Sequence, residues 1–466
     1  MKRLAFFALG ITLLATSCRK IEVDDNGTNP PTGGNPSDNL LLSGRINTDR
    51  TLETGKTYIL RGTVYVVDGA KLTIQPGVTI KGEKSSRGAL VITRGTQILA
   101  NGTVDKPIVF TSDAATPQRG DWGGIVILGR AKTNSSFNNQ PGIGEIEGGV
   151  NNAEGLGLYG GADDNDNSGV LKYVRIEYAG YAFLPDKELN GLTLGGVGRG
   201  TIIDHVQVSF ANDDSFEWFG GSVDAKYLIA YKGLDDDFDM DNGFSGRVQY
   251  GIVFRDSTIA DVSQSNGFEI DNDAGGSATL PQTSAVFSNI TVVGPRATLT
   301  NAGNSNFRRG IHTRRNSAVS IFNSIIMGWP TGWNLDASTG SPTDVNYSAA
   351  TPKAFVSNTI LAGNNTPLTY NASAGAPTGW TTADLTTYFN RVSGDNTILA
   401  NASDVGLVAP FKYDNSVDFN PNAGSPAATG GSFTATKISD TFFTTVTFRG
   451  AAGAGDTWWK TWTSFR

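Results

Sequence analysis

Apolar and polar positions alternate along this chain in short runs, and nearly every run ends at a glycine or an asparagine. "LTIQPGVTIKG" at 72–82 and "LVITRGTQILANG" at 90–102 are each two such runs broken by a glycine turn. They align at an offset of 18, with Leu72 on Leu90, Ile74 on Ile92, Gly77 on Gly95 and Ile80 on Ile98. Period-two alternation marks a strand with one buried face. Farther on, "NITVVG" (289), "NSIIMG" (323), "NTILAG" (358) and "NTILAN" (396) recur at intervals of 34, 35 and 38. Long amphipathic helix patterns are essentially missing. Short strands repeated at a variable period predict stacked coils, each adding one rung to three sheets. The predicted fold is all-β: a right-handed parallel β-helix, a single-stranded solenoid, spanning 39–430. A β-propeller would require four antiparallel strands per blade with hairpin turns at regular spacing, and these are not seen.

The clearest repeat has an offset of 22 and joins "NDDSFEWFGG" (212–221) to "LDDDFDMDNG" (234–243). It sets Val206 on Leu228, Val208 on Ala230, Asp213 on Asp235, Asp214 on Asp236, Phe216 on Phe238, Glu217 on Asp239 and Gly221 on Gly243. "NGFEIDND" extends the stack, placing Phe268 under the phenylalanines, Glu269 under Glu217 and Asp239, and Asp271 under Asp241. With the phenylalanines inward, alternation turns Glu217, Asp239 and Glu269 outward. Thr193 precedes them in that column, and His312 and Asn334 follow.

Composition narrows the function classes. Gly is 58 of 466 residues and charged residues are only 17%, which fits many turns and few solvated helical faces. The net charge is −7, or −9 once Lys2 and Arg3 leave with residues 1–17. Such a chain lacks the basic patches that nucleic acid requires.

The ends carry an address. "MKRLAFFALGITLLATSC" has a basic start, an apolar run too short to act as a stop-transfer span, and small residues before Cys18, the sole cysteine. A lone exported cysteine has no disulfide partner, and Cys18 reads as the acceptor of a lipoprotein box, although Ala15 stands where leucine is usual. Residues 1–17 are then a signal peptide, and 18–38, rich in Asp, Asn, Pro and Gly, a flexible tether. No transmembrane helix is expected in the mature chain. Residues 431–466 hold Trp458, Trp459 and Trp462 and are expected to form a small β- and Trp-rich cap on the solenoid's end.

The acids pose an electrostatic problem. Rungs lie about 4.8 Å apart, and two carboxylates at that spacing repel by about 3.5 kcal/mol at an effective dielectric of about 20. Either some are protonated or a cation sits among them. Asp213, Asp214, Glu217, Asp235, Asp236, Asp237, Asp239, Asp241, Glu269, Asp271 and Asp273 are the candidate ligands, and an oxygen-only set favours Ca²⁺. The competing view is that Asp in these segments only shapes turns; Glu217 and Glu269 fit that view poorly, since glutamate is not a turn former. Near the acids, Arg308, Arg309, His312, Arg314, Trp333 and Asn334 are candidates for ligand binding, with Arg315 beside them. The arginines serve equally well as counterions. The "GHG" and "RIK" tripeptides of β-helical pectin hydrolases do not occur.

Together, "LTIQPGVTIKG", "RGTQILANGTVDKPIVFTS", "GDWGGIVILGRA", "EIEGGV", "YGGADDNDNSGVLKYVRIEYAG", "DDSFEWFGG", "GLDDDFDMDNGFSG" and the closing "WWKTWTSF" resemble a family of β-helical outer-membrane lipoproteins common in Bacteroidota. Acidic residues soon after the lipid cysteine, here Glu22, Asp24 and Asp25, resemble the signal for surface export in that group. The resemblance implies a pectin-lyase-like fold and an outer-membrane, cell-surface address, and it carries over no catalytic residues. The expected function is a lipid-anchored surface protein that binds carbohydrate or a surface partner with Ca²⁺ in its acid ladder. A polysaccharide lyase or glycoside hydrolase using the same groove, and a structural adhesin or accessory subunit of an outer-membrane complex, are the alternatives.

Overall fold

The computed structural model describes residues 40–184, 187–301, 303–372 and 380–466. Cys18 and the segments expected to be a signal peptide and a tether lie outside these residues. Strands from Leu41 to Leu399 stack in parallel into one continuous solenoid, a parallel β-helix as the alternation predicts. Each full rung contributes to three sheets. One, the ladder sheet, contains Leu192–Gly195, Phe216–Phe219, Phe238–Asp241, Ser265–Ile270, Phe307–Thr313 and Thr331–Ala337 in register. The other two are formed by the first and second halves of longer strands such as Ile202–Ser209 and Arg247–Phe254.

The corner between those halves is a single residue in the left-handed backbone region. Tyr173, His205, Tyr227, Tyr250, Asn289, Asn323, Asn358 and Asp395 occupy it on successive rungs, with φ between 44° and 64°. A bend at one residue keeps the two sheets tightly joined, and among residues with a side chain Asn and Asp tolerate that conformation best. The first four instead stack as rings, with centroids 4.4, 4.2 and 4.9 Å apart. Inside the solenoid, Phe216, Phe238, Phe268, Ile311 and Trp333 form one inward column.

Two sequence alignments give the wrong register. Leu72 pairs with Ile98 and Val64 with Leu90, an offset of 26, so Leu72 and Leu90 lie in different sheets. Neighbouring sheets of one coil share the same alternation and glycine turns, which imitates a rung-to-rung repeat. At the last rung Ile360 pairs with Thr397 rather than Ile398. Asp395 takes the corner in place of Asn396, and the one-residue slip turns Ile398 outward, 38% exposed.

The ends also differ from expectation. Helix Thr382–Phe389, opened by a capping box between Thr381 and Asp384, closes the last ladder rung with Leu385 and Phe389 against Trp333 and Tyr347. Residues 431–466 contain no strand and do not cap the end. They run back as a strap over the left-handed corner. Asn358 Nδ2 donates to Gly430 O (3.1 Å), Asn323 exchanges two bonds with Ser432, Gln249 two with Thr444, and Gln207 two with Ser464. Trp458 and Trp462 pack edge-on to His205. Trp458 and Trp462 thus anchor the tail on the corner's aromatic rings, and Trp459 packs on Phe419.

Candidate functional site

The ladder sheet's outward face changes character along the axis. On early rungs Val91, Val126 and Leu128 are covered by Ile146, Val150, Tyr159 and Leu189, which come largely from the long insertion after Gly124–Leu128. Where this cover ends the acids begin. The outward column runs Thr193, Glu217, Asp239, Glu269, His312 and Asn334 in unbroken register, as the repeats predict, and continues to Thr369. Asp213, Asp214, Asp235 and Asp236 flank it from the turns entering Phe216–Phe219 and Phe238–Asp241.

Three overlapping groups bring carboxylate oxygens within 4.8 Å of one another: Asp213, Asp214 and Asp235; Asp214, Glu217 and Asp239; Asp236, Asp239 and Glu269. Asp214, Glu217 and Asp236 are 7%, 6% and 4% exposed, too buried for water to carry their charge. Burial first, and then neighbouring carboxylates, push Asp213, Asp214, Glu217, Asp236 and Asp239 well above the usual range. The same causes, set against a bond from Ser263, raise Asp235 to about 7.

Sequence reasoning missed two members. Glu147 arrives on the insertion, and burial raises its pKa beside Glu217. Asn190 is fully buried; its amide donates to Glu217 and to Glu147 (3.2 Å), while its Oδ1 has no partner among the described residues. Buried Oδ1 of Asp235 is likewise unbonded. Glu147 belongs to no repeat, so no pattern marks it, whereas Asn190 stands in the Asp214 column, two residues before Leu192 as Asp214 is before Phe216. Unpaired buried oxygens among crowded carboxylates match the donor set of a hard cation with flexible coordination.

Other acids in the expected ligand set do different work. Asp237 turns inward to a fully buried ion pair with Arg255 at 3.0 Å. Asp271 is held by Arg314 and Arg315, each at 2.7 Å. Asp273 shapes a turn, accepting from Gly275 N (2.9 Å) and Ser277 N (3.0 Å). Asp241 accepts from Asn242 N, and burial raises it to about 7, but it stands outside the three groups.

Downstream of the acids lies an open cavity of about 350 Å³ lined by Asn266, Glu269, Arg309, His312, Arg314 and Asp336, among others. Burial would raise Glu269, yet His312, Arg314 and Arg315 outweigh it and hold the carboxyl down to about 2. His312 is 4% exposed; Nδ1 lies 3.7 Å from Glu269 and Nε2 3.9 Å from Asp336, and neither nitrogen makes a hydrogen bond among the described residues. Arg309 reaches only neutral oxygens of Gln264 and Asn266, both at 3.5 Å. Asn334 sits beneath His312, buried, its amide on Thr369 Oγ1 at 2.8 Å. Trp333 is not available to a ligand: it is fully buried, because it continues the inward phenylalanine column. Arg308 is exposed and lines no part of the cavity.

Among the described residues no helix is long and apolar enough to cross a membrane. No curated protein and no solved structure matches the chain. A family model described as a pectate-lyase-like β-helix domain matches residues 44–404, nearly the whole extent of the solenoid. On that match and the parallel three-sheet coil, the chain belongs to the pectate-lyase-like β-helix domain family.

Proposed function

We propose that this protein binds a polysaccharide along the ladder sheet, with Ca²⁺ among Asp214, Glu217 and Asp239 and sugar groups seated in the cavity at Arg309 and His312. The observation that carries the reading is the uneven distribution of cations. Arg314 and Arg315 neutralise Glu269 and Asp271, and Arg255 pairs with Asp237, while Asp213, Asp214, Glu217, Asp235, Asp236 and Asp239 have no Lys or Arg salt bridge among the described residues. A bound divalent ion would offset that charge and present open coordination positions to sugar hydroxyls or carboxylates beside the arginines. The family's fold is compatible with this role and does not by itself establish it. The test is isothermal titration of oligosaccharides in Ca²⁺ and in chelator: binding that needs Ca²⁺ and is lost in Glu217→Gln/Asp239→Asn supports the reading, and binding indifferent to both refutes it.

His312 favours a second reading, catalysis in the same groove. A buried imidazole between two carboxylates, with both nitrogens unbonded, is placed to exchange protons with a bound sugar. Glycan cleavage that His312→Gln abolishes while affinity stays intact would establish an enzyme. We further propose that lipid on Cys18 holds the protein at the outer membrane, facing the cell surface; Cys18→Ala should then release it to the soluble fraction.

A further inference from the structure

On the other side of the acids lies a wider cleft of about 830 Å³. One wall is the insertion that covers the early rungs, folded into two small antiparallel pairs, Ser136–Phe137 with Gln140–Pro141 and Gly144–Glu145 with Leu158–Tyr159. The opposite wall is the turn shaped by Asp273. Asn134 ties the two together, its Nδ2 donating to Asn272 O (2.8 Å) and Pro281 O (3.2 Å), so the cleft is preformed. Its accessible apolar lining is the partly exposed ring of Phe137, backed by buried Ile146 and by Phe219 against Tyr159 with ring centres 6.1 Å apart. Its charged lining consists of Glu145, Glu147 and Asp273, and none of the described residues lining it is Lys or Arg. Glu147 also meets Glu217 through Asn190, which makes the cleft continuous with the acid ladder.

We propose that this cleft is a saccharide subsite for sugars without acidic groups, either uncharged or amine-bearing. The inference rests on the polysaccharide-binding reading and adds the sugar class at one position. Phe137, the ring of the three that is not buried, takes the apolar face of a pyranose ring. Carboxylates and hydroxyls accept from sugar hydroxyls or an ammonium, whereas a uronate or sulfate would meet three acids and no cation. The cavity at Arg309 has the opposite preference. A bound polymer therefore presents different sugars, or differently charged parts of one repeat, to the two sides of the ladder.

The test is titration of the purified protein in Ca²⁺ with cellohexaose, xylohexaose, a chitosan hexamer and a galacturonate hexamer, repeated with Phe137→Ala and Glu145→Gln. The expected result is that at least one non-acidic oligosaccharide binds and that Phe137→Ala weakens it about tenfold or more, with galacturonate affinity and the Ca²⁺-induced rise in Tm unchanged. Glu145→Gln should weaken the chitosan hexamer selectively. Unchanged affinities in Phe137→Ala, or binding of galacturonate alone, overturn the subsite and leave the ladder reading standing. A lost Ca²⁺ effect refutes the ladder reading on its own. Capture of a tetralysine peptide with no saccharide bound would assign the cleft to a basic protein segment and also overturn the proposal.

Discussion

Replacing Asp239 with asparagine should stabilise the protein in chelator and abolish its response to Ca²⁺. Asp239 offers an oxygen within 4.8 Å of both Asp214 and Glu217, and belongs as well to the group with Asp236 and Glu269. Each ionised pair at that distance costs about 3.5 kcal/mol at an effective dielectric of about 20. Protonation caps the cost: discharging a carboxyl whose unfolded pKa is about 4 takes about 5 kcal/mol at pH 7.5. The apo variant should therefore gain about 3 to 5 kcal/mol, which for a chain of this length raises Tm by about 3 to 5 °C. Wild type in Ca²⁺ at a hundred times Kd gains about 2.7 kcal/mol, and the variant should gain almost none of it. Calorimetry of both proteins, with and without chelator, reads both effects. A variant less stable than wild type in chelator, or one keeping the full Ca²⁺ gain, would falsify the argument that repulsion dominates this column.

The same electrostatics fix a pH dependence. Asp235 and Asp241 have folded pKa values of about 7, above about 4 when unfolded, so the folded state binds more protons between these limits and apo stability falls as pH rises from 4 to 7, by at most about 4 kcal/mol per site; a Tm that climbs across this window in chelator would contradict it. Arg309→Ala should weaken an acidic oligosaccharide by about tenfold or more, the worth of a charge-assisted hydrogen bond, without moving Tm; a fall in Tm would make Arg309 structural. Trp462→Ala, at a fully buried strap position, should cost about 3 to 5 kcal/mol and leave the Ca²⁺ shift in Tm intact. If the Ca²⁺ shift disappears with it, strap and ladder are coupled.

The ladder was legible because one coil repeats almost residue for residue: Phe216, Phe238 and Phe268 fix the inward phase, and alternation then dictates where Glu217, Asp239 and Glu269 point. The same logic places Trp333 in the core once Ile311 is its partner, although the sequence made it a candidate for ligand binding. Legibility failed where tertiary contact decides. Glu147 reaches the site from a segment with no repeat, and Asn190, which extends the Asp214 column, carries no charge to mark it. Asp237 looks like its neighbours Asp235 and Asp236 until Arg255 is found buried beside it. The aromatic start of the left-handed corner hides a column that only its asparagine half announces in sequence.

The strap has a consequence for how such a protein changes over generations. Solenoids commonly lengthen or shorten by gaining or losing whole repeats, since each unit touches only its neighbours. Here one segment is pinned at Asn358, Asn323, Gln249 and Gln207. An added rung would displace every later anchor by about 4.8 Å, beyond the reach of a hydrogen bond. The strap is thus a ruler that fixes the number of coils between its anchors. Variation is diverted to the loops bordering the ladder sheet, where insertions such as the one carrying Glu147 can remodel the binding face without altering the scaffold.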